Sequence, residues 1–215
     1  MNRFLIVTCA VVLAACGGGS SGGANLPGQG PPSAQAVAAS DSDFSGMHKC
    51  PESGTWDSYL KAEQTKNPTQ YDTDKKSWDD LKAAGANDSY IAVYAQSTSD
   101  CGQFAAGTPS TKVAYVYAIR FKDTTSASTN FKTNSKAFHL SDSDVANLKA
   151  AGGIVQQGAA TGLGDNSVVV SIAFGGTTVY VAFWQKKQFE VALVSFNLPI
   201  ADGTTVTAKI SGRIP

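Results

Sequence analysis

Residues 167–196 read SVVVSIAFGGTTVYVAFWQKKQFEVALVSF, and this stretch decides the fold. Valine and aromatic side chains fill three runs, about Ser167–Phe174, Thr177–Gln185 and Gln188–Phe196, and mark them as strands. Gly175-Gly176 separates the first two, and a glycine pair accepts the positive φ that a two-residue hairpin turn demands. Lys186-Lys187 offers no glycine at the second reversal, which predicts a longer or bulged connection. The three runs make an antiparallel meander.

Upstream, the period of two returns at Tyr90–Gln96 and Lys112–Phe121, giving five strands. Between these two lies a Ser-, Gly- and Pro-rich loop that carries Cys101. Thr55–Lys66 reads as a helix: Thr55 can cap it, Trp56, Tyr59, Leu60 and Glu63 recur at helical spacing, and Asn67-Pro68 stops it. Asp74–Ala84 is a second, with Lys75/Asp79 and Lys76/Asp80 one turn apart and Gly85 placed to end it. Asp123–Phe138 reads as a third, and a fourth opens at Ser141-Asp-Ser-Asp144 with the spacing of a capping box. The tail from Ile200 alternates like a strand, but Val206, Ile210 and Ile214 also share a helix face, and helix is the reading adopted.

Alternation along the strands separates two faces. Large residues collect on one (Tyr115, Tyr117, Ile119, Phe121, Val170, Ile172, Phe174, Val181, Phe183, Phe189, Val191, Leu193). The other offers small ones (Ala114, Val116, Ala118, Ser171, Ala173, Ala182, Ala192, Val194), interrupted by Tyr180 and Trp184. Both faces are too apolar to meet water. The expected fold class is therefore α+β: a single domain with a five-stranded, mainly antiparallel sheet covered by helices on both sides as an α/β/α sandwich.

The front of the chain has a different character. Asn2 and Arg3 precede an apolar run from Phe4 to Ala15, shorter than the roughly 20 residues of a membrane-spanning helix but suited to a signal-peptide core. It ends in Leu13-Ala14-Ala15-Cys16, which resembles the lipobox of bacterial lipoproteins. The resemblance implies cleavage before Cys16, lipid on its sulfur, and residence at the cell membrane or outer membrane, facing the extracytoplasmic space. It divides the chain into a signal peptide at 1–15, a lipidated cysteine with a Gly/Ser/Pro linker at 16–40, and a globular domain at 41–215. The linker composition cannot bury enough apolar surface to order itself.

Seventeen basic and seventeen acidic side chains give zero formal charge, and the basic ones are scattered, which excludes a nucleic-acid footprint. In an exported chain the two cysteines of the domain, Cys50 and Cys101, are expected to form a disulfide. A catalytic thiol would need a histidine partner, and the candidates are His48 and His139. No metal-ligand spacing and no cofactor motif is present: Asp72, Asp74, Asp79 and Asp80 lack the glycine and closing glutamate of a calcium loop. Gly162-Leu-Gly-Asp165 reads as a glycine turn into a strand, with Asp165 capping it. No catalytic residue emerges. Tyr180 and Trp184, flanked by Lys186 and Lys187, are the candidates for a groove that holds a small apolar or lipid ligand.

The element order from about residue 90 to Arg213-Ile214 also resembles small bacterial lipoproteins with a PsbP-like or sensor-like domain. That resemblance implies the α/β/α sandwich and a non-enzymatic envelope role, and carries over no catalytic residue. The function expected is that of a tethered binding or accessory domain whose partner is a small apolar ligand or an envelope protein. The alternatives are a secreted hydrolase with a loop-built site and a purely structural assembly lipoprotein.

Overall fold

The computed structural model describes residues 30–66, 68–103, 109–133 and 140–215. One antiparallel sheet organises them, in the order β1-β2-β3-β7-β6-β5-β4. The strands are β1 (His48–Lys49), β2 (Ala86–Ala95), β3 (Val113–Phe121), β4 (Ile154–Gln157), β5 (Ser167–Phe174), β6 (Thr177–Lys186) and β7 (Phe189–Phe196). The five expected strands are its centre. The two that sequence reading missed are the edges: β1 has two residues and β4 four, mostly exposed, so neither carries a measurable alternation.

The helices among the described residues are α1 (Ala34–Val37), α2 (Trp56–Lys66), α3 (Pro68–Ala83), α4 (Thr124–Thr133), α5 (Asp142–Ala150) and α6 (Ile200–Gly212). None is long and apolar enough to cross a membrane. Thr55 caps α2 as expected, its hydroxyl accepting from Ser58 N at 3.2 Å. Pro68 does end α2, but it also opens α3, six residues earlier than expected; proline at a first helical position costs no intrahelical bond. Asp123 caps α4 by accepting from Ser126 N at 2.7 Å. The capping box of α5 is complete, with Ser141 and Asp144 each receiving the other's backbone N–H.

Both sheet faces are buried under helices. On one, α1 and α6 cover Tyr90, Tyr94, Val116, Tyr180, Trp184 and Leu193. On the other, α2 and α3 cover Ile91, Val93 and Tyr115, while α4 presses Phe131 onto Phe183, the rings stacked at 4.7 Å. One strand reverses the expected faces. Lys186 pairs with Phe189, so the β6–β7 connection is the tight two-residue turn Lys187-Gln188 rather than a longer loop. Lys187 takes the left-handed conformation itself, at φ 51°. Phe189, Val191 and Leu193 therefore join Trp184 on the small-residue face and fill it. Ala192 and Val194 turn to the other.

The assigned linker is also corrected at its C-terminal end. Ala34, Val37, Ala38 and Ala39 are buried against the sheet, with at most 4 % exposure. Alanines carry little hydropathy signal, so composition alone cannot distinguish a packed strap from a tether. Arginines fasten this strap. Arg120 donates to the carbonyls of Pro31 and Pro32 at 3.5 and 3.3 Å. Arg213 donates to Ala38 O at 3.1 Å and to the Asp43 carboxylate.

Candidate functional site

Tyr180, Trp184 and Lys186 lie on one face of β6, and the structure does bring them together. What they line is the seat of α6, not an open groove. Trp184 and Tyr180 are 0 and 2 % exposed. Thr207 Oγ1 donates to Gly203 O at 2.8 Å, and its one proton being used, it accepts from the Tyr180 hydroxyl at 3.0 Å. Lys186 Nζ donates to Ser211 O at 2.9 Å, a cation on the last carbonyls of a helix, where the helix dipole favours it. Lys187 points away, exposed in its turn. The Trp184 indole N–H finds no acceptor among the described residues.

Cys50 and Cys101 are joined in a disulfide, so neither offers a thiolate to His48, which is exposed on β1. His139 lies outside the described residues. Glu52 completes a compact trio with the two sulfurs, but disulfide sulfurs are spent as anionic ligands and one carboxylate remains. The aspartates that looked calcium-like all fall within α3. Asp74 accepts from the Tyr59 hydroxyl and from Gln70 Nε2, while Asp79 and Asp80 pair with lysines. In the Gly162–Asp165 turn both glycines have positive φ, 74° and 109°. Its polar cap is Ser167, whose hydroxyl lies within 3.1 Å of Gly158 O and Gly164 O. Asp165, expected in that role, is exposed.

An open cleft of about 270 Å³ lies between α2 and α3, lined by Asp57, Lys61, Tyr71, Lys75, Trp78, Asp79 and Lys82 among others. The chain returns between Lys66 and Pro68 so that α3 lies alongside α2. Trp78 forms the floor. Its indole N–H donates to Asp57 Oδ1 at 2.8 Å, and its ring stacks on Trp56 at 5.6 Å. Asp79 receives two ammonium groups, Lys75 at 2.5 Å and Lys82 at 2.9 Å. Those hydrogen bonds, from Lys75 and then Lys82, pull its carboxyl down to about 2. Lys82 also lies over the Trp78 ring at 5.7 Å. Two carboxylates against Lys61, Lys75 and Lys82 leave a surplus of one positive charge beside the Tyr71 and Trp78 rings.

Among the described residues, the cleft's lining sets no nucleophile against a base. It can accept a carboxylate or another small anion next to an aromatic surface. Beneath it, burial and the Asp74 carboxylate push the Tyr59 hydroxyl's ionisation far above its ordinary range, so Tyr59 serves as a fixed donor. A second buried polar pair, Asn130 donating to both Glu190 oxygens at 3.0 Å, lies under α4. The i,i+4 lysine–aspartate pairs of α3 were visible in the sequence. That Lys75 and Asp79 face Lys61 and Asp57 across a cleft depends on the return of α3 along α2. No known protein family matches the chain, and neither a curated protein nor a solved structure does.

Proposed function

We propose that this chain is a membrane-tethered binding domain that works outside the cytoplasmic membrane, anchored through lipid on Cys16, and that the α2–α3 cleft receives an acidic segment of an envelope protein. The observation that carries this reading is the Cys50–Cys101 disulfide, a bond that persists in oxidising compartments. The Leu13-Ala-Ala-Cys16 tetrad supports the tether. A protein partner is favoured over a small apolar ligand because α6 already occupies the Tyr180 and Trp184 surface.

The test has two parts. Native mass spectrometry of the mature protein from its host should show acyl mass on Cys16 and no stoichiometric free lipid. A bound lipid that disappears in Trp184→Ala would reinstate the apolar-ligand reading. In-cell photo-crosslinking from position 61 should give one discrete protein adduct. An equal adduct in a Lys75→Glu/Lys82→Glu background, which reverses the cleft's charge, would sink the cleft as the binding site.

A further inference from the structure

We propose that the end of the sheet bearing Arg120, Lys122 and Lys187 faces the bilayer and rests on anionic lipid headgroups. This builds on the tethered reading above. The strap enters the domain at that end: Arg120 holds the Pro31 and Pro32 carbonyls, and Ala34 N donates to Asp88 Oδ2 at 2.8 Å. Lys122 and Lys187 belong to the same rim, because Phe121 N donates to Gln188 O and Lys122 N to Gly85 O, each at 2.8 Å.

Length and geometry select this end. Thirteen residues separate Cys16 from Gly30. A Gly/Ser-rich segment of that size has an r.m.s. span of roughly 20 Å. Strands of eight to ten residues, such as β3, β6 and β7, make the sheet about 30 Å long. The opposite end, with the Gly175-Gly176 turn and the exposed Phe174, is therefore the harder one to bring to the surface. It is left facing outward.

Charge agrees. Lys122 and Lys187 are exposed and take part in no ion pair among the described residues, whereas Lys75, Lys76 and Lys82 on α3 are paired with Asp79 or Asp80. The acids of the rim are Asp88, Asp123 and Asp165. Asp88 faces Arg120 at 3.6 Å, Asp123 is exposed beside Lys122 with its carboxylate turned onto the N-terminus of α4, and Asp165 is exposed. Lysines at a membrane surface add a second, salt-sensitive attraction to a lipid anchor.

The full chain, processed in a bacterial host and reconstituted in vesicles rich in phosphatidylglycerol, can be footprinted with an amine-acetylating reagent and read by mass spectrometry. Lys122 and Lys187 should react about threefold or more slowly than in detergent, Lys75 and Lys76 at unchanged rates, with the protection weakening in high salt. Acylated Cys16 with Lys122 and Lys187 as reactive as in detergent overturns the orientation and leaves the tether standing. Unacylated Cys16 overturns both.

Discussion

Gly203 lies flat on the ring of Tyr180: a Cβ added to this glycine would come within 2.8 Å of the ring carbons Cγ and Cδ1. The contact lets α6 close over β6, and it explains a glycine near the start of a helix that alanine would otherwise favour by about 0.5–1 kcal/mol. Gly203→Ala should nonetheless destabilise the domain, by about 1–3 kcal/mol, because the buried ring has no room to give way. Urea unfolding of the two proteins measures the difference; a more stable variant would mean that α6 does not seat on Tyr180.

Asp43 and Arg213 set an acid-sensitive clasp between the strap and the C-terminus. Burial pushes the Asp43 carboxyl up, but hydrogen bonds from Arg213 and from Ser40 outweigh it and hold it below its ordinary value. A carboxyl whose folded pKa is depressed contributes stability that is full above the unfolded value, near 4, and lost as pH falls through the folded value. Arg213→Met should therefore cost stability at pH 7 and progressively less as pH falls below about 4. Thermal melts of both proteins across that range check the convergence.

The Cys50–Cys101 bond closes a separation of 51 residues. On the chain-entropy account it stabilises by about 4 kcal/mol. Reduction, or the double change Cys50→Ser/Cys101→Ser, should lower the urea midpoint accordingly without altering the far-ultraviolet circular dichroism of the folded state. An unchanged midpoint would show that the bond is absent from the purified protein.

Two aspartates of α3, five residues apart, should respond unequally. Asp74 is buried and satisfies the Tyr59 hydroxyl, so Asp74→Ala leaves that donor stranded and should cost about 1–3 kcal/mol. Adding Tyr59→Phe removes the stranded group and should restore part of the loss. Asp79, nearly half exposed, should cost less than about 1 kcal/mol when replaced by alanine. Chemical denaturation of the three variants beside the wild type distinguishes these outcomes.

Lys187 holds a left-handed φ of 51° in a two-residue turn. Lys187→Gly removes the Cβ clash of that conformation and should stabilise by up to about 1 kcal/mol. A destabilised variant would indicate a turn of another shape, and with it another register for β7.

What local chemistry sets, the sequence alone determines. Alternating valines and aromatics specify the five central strands, Gly175-Gly176 the first hairpin, and Ser141 and Asp144 the start of α5, whereas the tail from Ile200 fits a strand as well as a helix. These signals need only a few neighbouring residues, and the Cys50–Cys101 pairing needs only a count. Tertiary structure decided the rest, where the partner lies far along the chain. Ala34, Val37, Ala38 and Ala39 are core, on a strap that Arg120 holds at Pro32 and Arg213 at Ala38, 88 and 175 residues away along the chain. Tyr180 and Trp184, candidates for a ligand groove on sequence, become a helix seat only once α6 is placed over them. The faces of β7 turned on one two-residue connection, since a single added residue there would exchange every side chain between the two cores.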